Sequence, residues 1–317
     1  VAADHKRNID VNGADQEGVG YFQFTMKNSR RMSAARAFLR PAMKRSNLRV
    51  ETGAHVLRVL FEGKRATGVV YRQNGTEITA KAGREVILSG GAVNSPQLLM
   101  LSGIGPADQL RHHGLDVRHD NANVGQHLQD HLGGGFTFGV THPTLNERLH
   151  SWPAKILSGL QYLLTGTGPL SLSINHGGGF FRTSPDRPRP NMQLYFQAMS
   201  TLTGEHDGER PVLNPDPFRA IGLGLSACRP TSRGHLELRS ADPFDAPAIH
   251  PNSFGTDHDL AEMIEAMKFL RHLAAQPAFA EVITGELRPG PDVKTDDEMI
   301  AYVRQSAGTV YHPSCTC

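Results

Sequence analysis

Residues 84–105, REVILSGGAVNSPQLLMLSGIG, constrain the fold more than any other stretch of the sequence. The apolar run 86–88 predicts a short, fully buried strand. Small residues follow, and then Ser95 and Pro96 predict an N-cap and the first position of a helix. Gly103 predicts a left-handed end to that helix. A strand, a glycine turn and a helix N-terminus are typical of a nucleotide-binding site, and equally of a packed βα turn without a ligand.

Composition excludes several classes of function. The chain of 317 residues has 33 Lys and Arg against 31 Asp and Glu, so no global charge favours nucleic acid or a membrane surface. No apolar run approaches the roughly 18 residues that a transmembrane helix needs. Three cysteines, Cys228, Cys315 and Cys317, are too few for a disulfide scaffold and indicate a reducing compartment. We therefore expect a cytoplasmic protein without a nucleic-acid partner, and leave peripheral attachment to a membrane open.

Two groups of β-forming runs predict two sheets. The runs LRVET, HVLRVLFE, ATGVVYRQ and TEITAK cover residues 48–81 and predict a meander that leads into the 84–105 stretch. Asn74-Gly75 predicts a hairpin turn within it, because both residues tolerate positive φ. The later runs MQLYFQAM, AIGLGLSACR and HLELRS predict a second sheet. A meander placed before a dinucleotide-type strand is common in large flavin-binding folds.

Capping residues predict several helices. Ser33 and Pro41 are expected to begin and end a short helix, AARAFLR. A second helix is expected around residues 155–164. A capping box predicts a long helix within 256–277, and a second box, at 295–298, predicts another helix behind it.

Three histidine motifs invite chemical interpretation. His127 and His131 are four residues apart and could share a zinc ion, but no third ligand follows, so we expect no metal. His176 begins an HGGG run like the oxyanion loop of lipases, yet no G-x-S-x-G nucleophile follows it. His312, in TVYHPSCTC, could act as a general base near neutral pH. Taken alone, such a histidine is more often structural or exposed.

Several runs together resemble the glucose-methanol-choline (GMC) flavoprotein oxidoreductases, especially choline-dehydrogenase-like alcohol dehydrogenases. The order and spacing of these runs agree along nearly the whole chain. The runs are RRMSAARAFLRPA (31–43), NLRVETGAHVLRVLFEGKRATGVVY (47–71), VILSGGAVNSPQLLMLSGIGP (86–106), NVGQHLQDH (123–131), SRGHLELRSADP (232–243) and VYHP (310–313).

The resemblance implies a fold that combines α/β and α+β parts. It implies a partial FAD-binding, Rossmann-like domain in residues 1–135 and an antiparallel-sheet substrate domain backed by helices in residues 136–305. Residues 306–317 would return to the FAD-binding domain. The family's G-x-G-x-x-G motif and its second catalytic residue are absent from the sequence. We therefore expect a fragment that, alone, binds FAD poorly and is inactive.

The resemblance also implies roles for individual residues. The residue matching His312 takes the alcohol proton while a hydride moves to the flavin, so that a primary alcohol becomes an aldehyde. His176 stands where choline-oxidising relatives have Glu, which argues against choline, because a quaternary ammonium prefers a carboxylate or an aromatic cage. His176 and Tyr311 are the predicted substrate-pocket residues. The predicted FAD-binding residues are Val56, Ser89, Gly90, Gly91, Ala92, Asn94 and Ser95.

Other functions of the same fold stay open at this point. A GMC-fold hydroxynitrile lyase would also use a histidine base but would not reduce its flavin. A flavin-binding scaffold without activity is a third interpretation. The sequence does not distinguish oxygen, a quinone or another carrier as the electron acceptor.

Overall fold

The computed structural model describes residues 5–201 and 214–317. Its strands are β1 (Gly18–Tyr21), β2 (Met26–Lys27), β3 (Arg30–Arg31), β4 (His55–Glu62), β5 (Arg65–Gln73), β6 (Thr76–Lys81), β7 (Ile104–Gly105), β8 (His119–Asp120), β9 (Leu132–Val140), β10 (Asn175–Phe181), β11 (Met192–Gln197), β12 (Ala220–Ala227), β13 (His235–Glu237), β14 (Ala248–His250), β15 (Ile283–Arg288) and β16 (Gly308–Thr309). Its α-helices are α1 (Arg40–Ala42), α2 (Gly91–Leu101), α3 (Ala107–His112), α4 (Leu145–Leu149), α5 (Trp152–Thr165), α6 (Asp257–Ala274), α7 (Pro277–Ala280) and α8 (Asp296–Ser306). No helix in the described ranges is long and apolar enough to cross a membrane.

The chain divides into two compact units, each built from three stretches of sequence. We call them the sheet unit and the meander unit. The sheet unit consists of Val1–Ala42, Leu132–Arg229 and Asp257–Gly308. The meander unit consists of Met43–His131, Pro230–Thr256 and Thr309–Cys317.

The units differ from the predicted domain division in two long stretches and by a few residues at two boundaries. Residues 1–42 group with the predicted substrate domain, because β1 pairs with β10, far along the chain. Residues 230–256 group with the predicted FAD-binding domain. The roles assigned to the two domains stay predictions.

The sheet unit is organised around an antiparallel sheet. Six of its strands follow the order β1-β10-β11-β12-β9-β15. Helices α6 and α8 place their apolar sides in the core, where Met263, Met267, Leu270 and Val303 are almost fully buried. The α6 residue Arg271 also lies over a sheet side chain of β9, which indicates that this helix covers one sheet face.

The meander unit combines a three-stranded antiparallel sheet, β4-β5-β6, with helices α2 and α3. Its core joins both helices to more distant segments, through the buried side chains of Met100, Leu110, Val124 and Leu238. The Ser102 hydroxyl accepts a hydrogen bond from the Val59 backbone N–H at 2.9 Å, which attaches the end of α2 to β4.

Several local predictions are confirmed. Asn74 and Gly75 both have positive φ and join β5 to β6 as a hairpin. Gly103 has a φ of +85° just beyond α2, as its place at the helix end predicts. Helix α5 spans the predicted 155–164 region, and α8 begins with the predicted capping box of Thr295 and Glu298.

Four local predictions are wrong. The run 86–88 is not a strand, and Ile87 is 76% exposed, because no strand in the described ranges pairs with it. HLELRS is not part of the second sheet; its residues 235–237 pair with β14 instead. LRVET forms no strand. The helix expected to end before Pro41 continues through α1, after a π-helical turn at Ala35–Leu39.

The predicted start of α2 is also wrong. Ser95 is not the N-cap; the helix begins at Gly91, and Pro96 lies inside it. An interior proline leaves one carbonyl of the preceding turn without its usual N–H donor. A hydroxyl from a distant segment, described below, supplies the missing donor.

Candidate active site

The backbone around His312 is held by the side chain of Asp130. The Oδ1 atom of Asp130 accepts a hydrogen bond from the His312 backbone N–H at 3.0 Å, and its Oδ2 atom accepts one from the Thr309 hydroxyl. Backbone hydrogen bonds of 2.9 and 3.1 Å then join Gln129 and Ser314 as an antiparallel bridge. The chain is therefore fixed on both sides of His312, which limits where its imidazole can lie.

The His312 imidazole contacts a second histidine. The rings of His131 and His312 meet edge to face, with centroids 5.6 Å apart and planes at 85°. His312 is exposed, and so is its neighbour Tyr311, which has a φ of +64° and is 78% exposed. The Nε2 atom of His127 lies 3.1 Å from Asn123 Oδ1. Within the described ranges, His127 and His131 belong to no group of three metal-ligating side chains, and the absence of a metal there stays a prediction.

The segment after His312 is attached to helix α2 at the place where Pro96 interrupts it. Because Pro96 has no N–H, it cannot donate to the Ala92 carbonyl four residues earlier. The Thr316 hydroxyl donates to that carbonyl instead, at 2.6 Å, and Thr316 is only 1% exposed. The Thr316 carbonyl in turn accepts from the Gly125 N–H at 2.9 Å. The candidate base and helix α2 therefore belong to one hydrogen-bonded assembly.

A cavity of about 630 Å³ lies in the meander unit, between the meander and the start of α2. Five of the seven predicted cofactor-binding residues line it: Val56, Ser89, Gly90, Asn94 and Ser95. Gly91 and Ala92 are not among its lining residues. The structure thus brings together residues that lie about forty positions apart in the sequence.

The walls of this cavity suit a nucleotide-like group. A Cβ atom on Gly90 would lie 3.1 Å from both Asn94 Cβ and Ser95 N, so the turn leaves little room for a side chain. No side chain caps the start of α2, which leaves backbone N–H groups of its first turn for a ligand, although Gly91 and Ala92 do not line the cavity itself. The volume falls within the usual range for ligand pockets, about 300–1,000 Å³.

A second cavity, of about 1010 Å³, lies in the sheet unit. None of its lining residues is Asp or Glu, and seven carry Phe or Tyr rings: Tyr21, Phe22, Phe24, Phe181, Phe196, Phe269 and Phe279. His176 lines this cavity as well, whereas Tyr311 belongs to the other unit. Tyr311 is not among the residues that line this cavity, and the roles of both residues stay predictions.

A row of glycines crosses the sheet of the sheet unit. In register, Gly20 pairs with Gly178, Gly178 with Tyr195, Tyr195 with Gly224, and Gly224 with Gly135. Directly opposed residues share a sheet face. Tyr195 is therefore the one residue of this row that carries a side chain, and its phenol lies between glycines on both sides.

Sequence reasoning did not single out Tyr195. Its hydroxyl donates to Gln193 Oε1 at 2.8 Å and lies 2.9 Å from Ser226 Oγ. Burial raises the pKa of the Tyr195 phenol above its usual value, so the group stays a neutral hydrogen-bonding hydroxyl. The G-x-G spacing at 222–224 was the available signal, because glycines two apart on a strand leave one face open.

Family comparisons agree with the sequence runs. Residues 3–133 match the N-terminal model of the GMC oxidoreductases, and residues 230–317 match the C-terminal model. The chain belongs to the GMC oxidoreductase family. The predicted family and the mixed fold of helices and antiparallel sheets are thereby confirmed.

Similar proteins include dehydrogenases from different kingdoms. The chain is 42% identical over 308 residues to "Choline dehydrogenase, mitochondrial" of Homo sapiens, and the aligned region covers 97% of this chain and 51% of the relative. It is 41% identical over 315 residues to "Alcohol dehydrogenase [acceptor]" of Pseudomonas putida, covering 98% of this chain and 55% of the relative. It is 40% identical over 318 residues to "Oxygen-dependent choline dehydrogenase" of Staphylococcus xylosus, covering 100% and 55%. The chain therefore spans about half the length of the curated relatives it matches.

Solved structures share the fold. A formate oxidase superimposes with a TM-score of 0.85 at 26% identity, covering 95% of this chain and 56% of the oxidase chain. Pyridoxine 4-oxidase from Mesorbium loti superimposes with a TM-score of 0.82 at 25% identity, covering 99% and 56%.

Proposed function

We propose that this chain acts in the FAD-dependent oxidation of a primary alcohol to an aldehyde, with His312 as the base. The observation that carries the proposal is the hydrogen-bonded assembly of the meander unit. Asp130 fixes the backbone at His312, and Thr316 attaches the same segment to α2, whose start lines the 630 Å³ cavity. Relatives named for choline and alcohol dehydrogenation support the reaction class.

The meander unit is the part that we assign to the cofactor. Val56, Gly90 and Ser95, which line its cavity, would hold part of FAD, and the uncapped N–H groups of α2 suit its phosphates. When bound, FAD supplies the hydride acceptor. The sheet unit is the part that we assign to the substrate.

His312 would accept the proton of the substrate hydroxyl. Loss of that proton places negative charge on the oxygen and makes hydride departure from the adjacent carbon easier. The imidazolium so formed then stabilises that developing charge. The fixed backbone on both sides of His312 supports this role, because a base that is already positioned needs less reorganisation.

The substrate that we propose is an uncharged primary alcohol rather than choline. The residues that line the 1010 Å³ cavity include the cation Arg7 and no carboxylate, so aromatic rings alone would have to hold a quaternary ammonium that Arg7 repels. We assign no electron acceptor.

Anaerobic titration of the protein, expressed from its complete coding sequence, tests the reaction. An uncharged primary alcohol should bleach the oxidised flavin absorbance, and choline should do so more slowly. A flavin that stays oxidised while a cyanohydrin is cleaved would favour the lyase. No flavin reduction by any primary alcohol would contradict the proposal.

The His312→Ala variant tests the base. We expect turnover to fall by about 10²–10⁴-fold, with flavin content unchanged. His112→Ala, at an exposed histidine in the same unit, is the matched control and should keep its turnover. If His312→Ala keeps its turnover too, His312 is not the base.

A further inference from the structure

The short hairpin of β13 and β14 places three metal-ligating side chains together. His235 and His250 are directly opposed in register, and Glu237 follows His235 by two residues on the same face. The two imidazole rings stack with centroids 4.6 Å apart, and His235 Nε2 lies 3.1 Å from Glu237 Oε1. One ligand atom from each of the three residues lies within 4.8 Å of the other two.

We propose that His235, Glu237 and His250 form a surface site for a divalent transition-metal ion, with Zn²⁺ as the best-fitting ion. Two imidazole nitrogens and a carboxylate oxygen form a ligand set suited to zinc, whereas Mg²⁺ and Ca²⁺ prefer oxygen ligands alone. In a tetrahedral zinc site, ligand atoms lie roughly 3.3–3.6 Å apart, given bonds of about 2.0–2.2 Å. The three side chains therefore need only small rotations to reach that spacing.

The backbone that carries these ligands is already fixed. Leu236, between two of them, is fully buried, and its N–H donates to the Gly125 carbonyl at 2.6 Å. The other strand is held near its end, where Asn252 Nδ2 donates to the Arg233 carbonyl at 3.0 Å. Because Leu236 is buried on one face of the strand, His235 and Glu237 on either side of it both lie on the other face. Metal binding therefore requires little further ordering of the chain.

The ordinary interpretation of this cluster is a surface hydrogen bond beside two stacked rings. Two features favour a metal over that interpretation. The side chains of His235 and Glu237 are 37% and 48% exposed, so an ion and a completing water can reach them. The three side chains also lie on one face of the strand pair, where they can all bind the same ion. A surface hydrogen bond would account for only two of them. None of the three residues lines the 630 Å³ cavity, so the site is separate from the cofactor site that we propose.

Titration with Zn²⁺ alone tests the site, in the chelator-treated protein expressed from its complete coding sequence. We expect one ion per chain at this site, and Co²⁺ should give the visible absorption of a low-symmetry site with nitrogen ligands. The double variant His235→Ala/His250→Ala should bind Zn²⁺ at least about tenfold more weakly, since even outer-shell changes cost 10–100-fold. The control His112→Ala/His113→Ala removes two neighbouring histidines of the same unit, with ring centroids 5.1 Å apart, and should bind as the wild type does.

A second variant keeps the proposal testable if the double variant fails to fold. Glu237→Gln preserves the size of the side chain and both histidines but removes the anionic ligand, and should also weaken binding by about tenfold. Equal Zn²⁺ affinity in the wild type and Glu237→Gln, or in the wild type and a folded double variant, would overturn the proposal. Flavin content is recorded alongside, and should not change in either variant, so failure here is distinct from failure of the proposed oxidation.

Discussion

The two cavities of this chain are built in different ways. Most of the residues that line the 630 Å³ cavity of the meander unit come from two stretches of sequence, 54–56 and 85–98, and the others are mainly neighbouring meander residues. The 1010 Å³ cavity of the sheet unit is lined by side chains from residue 5 to residue 279, and most of them are apolar. The first kind of site is encoded locally in the sequence, and the second exists only after strands and helices have paired.

This difference explains what the sequence could predict. Local signals such as Asn74-Gly75 and Gly103 gave correct turns, because a residue's own φ preference decides them. Four of the predicted cofactor residues, Ser89, Gly90, Asn94 and Ser95, also share one cavity, because they are close in the sequence. Tyr195 was missed, because its place between glycines depends on register with strands far along the chain.

The errors have the same physical origin. The apolar run 86–88 predicts a strand only if other strands pair with it, and none does in the ranges that the structure describes. Pro96 predicts a helix start, because a proline inside a helix leaves the Ala92 carbonyl without its N–H donor. The prediction fails when another group donates a hydrogen bond to that carbonyl. Thr316, more than two hundred residues later, does so. Local patterns therefore predicted the conformation correctly where no distant partner was involved. At residues 86–88 and at Pro96, the presence or absence of a partner from a distant segment determined the conformation instead.

The strongest test of this contrast compares one glycine from each cavity. A Cβ atom on Gly178 would overlap the Leu194 carbonyl oxygen and approach Phe22 Cζ to 2.8 Å, and its φ of +157° strains any other residue. Gly178→Ala should therefore lower the free energy of unfolding by more than about 3 kcal/mol. Gly90→Ala, with milder contacts of 3.1 Å, should cost about 1 kcal/mol. Chemical denaturation measures both, and equal losses would contradict the contrast.

Thr316 tests a place where the meander unit depends on a distant hydroxyl. Thr316→Val keeps the shape but leaves the Ala92 carbonyl without its donor, and should cost about 2 kcal/mol of unfolding free energy. Thr316→Ser keeps the hydroxyl and is the matched control, with a smaller loss from the missing methyl group. If both variants lose the same stability, the hydrogen bond is not what stabilises the interior proline.

One ion pair in each sheet allows the stabilisation of the two sheets to be compared. In the sheet unit, Arg271 donates to both oxygens of Glu286, at 2.8 and 3.0 Å, and this bonding raises the pKa of the guanidinium. The Glu286 side chain is only 12% exposed, so Glu286→Gln should cost about 1–2 kcal/mol. In the meander, Arg72 and Glu77 are both more than 40% exposed, and Glu77→Gln should cost less than about 0.5 kcal/mol. A double-mutant cycle on each pair measures the coupling, and a stronger coupling in the meander would reverse the ranking.

The smallest effect concerns a feature that the sequence predicted in full, the capping box of α8. The N–H groups of Thr295 and Lys294 donate to Glu298, and these bonds hold the pKa of its carboxyl below its ordinary value. The stabilisation is therefore present above the unfolded-state value and is lost as the pH falls through the lower folded value. Thermal melts from about pH 6 to about pH 3 should show the difference between wild type and Glu298→Gln shrinking toward acid. Glu281→Gln, an exposed carboxylate outside the box, should show no such trend. A difference for Glu298→Gln that stays constant with pH would mean that the charge of Glu298 does not stabilise the start of the helix, and that even this local signal needs distant partners.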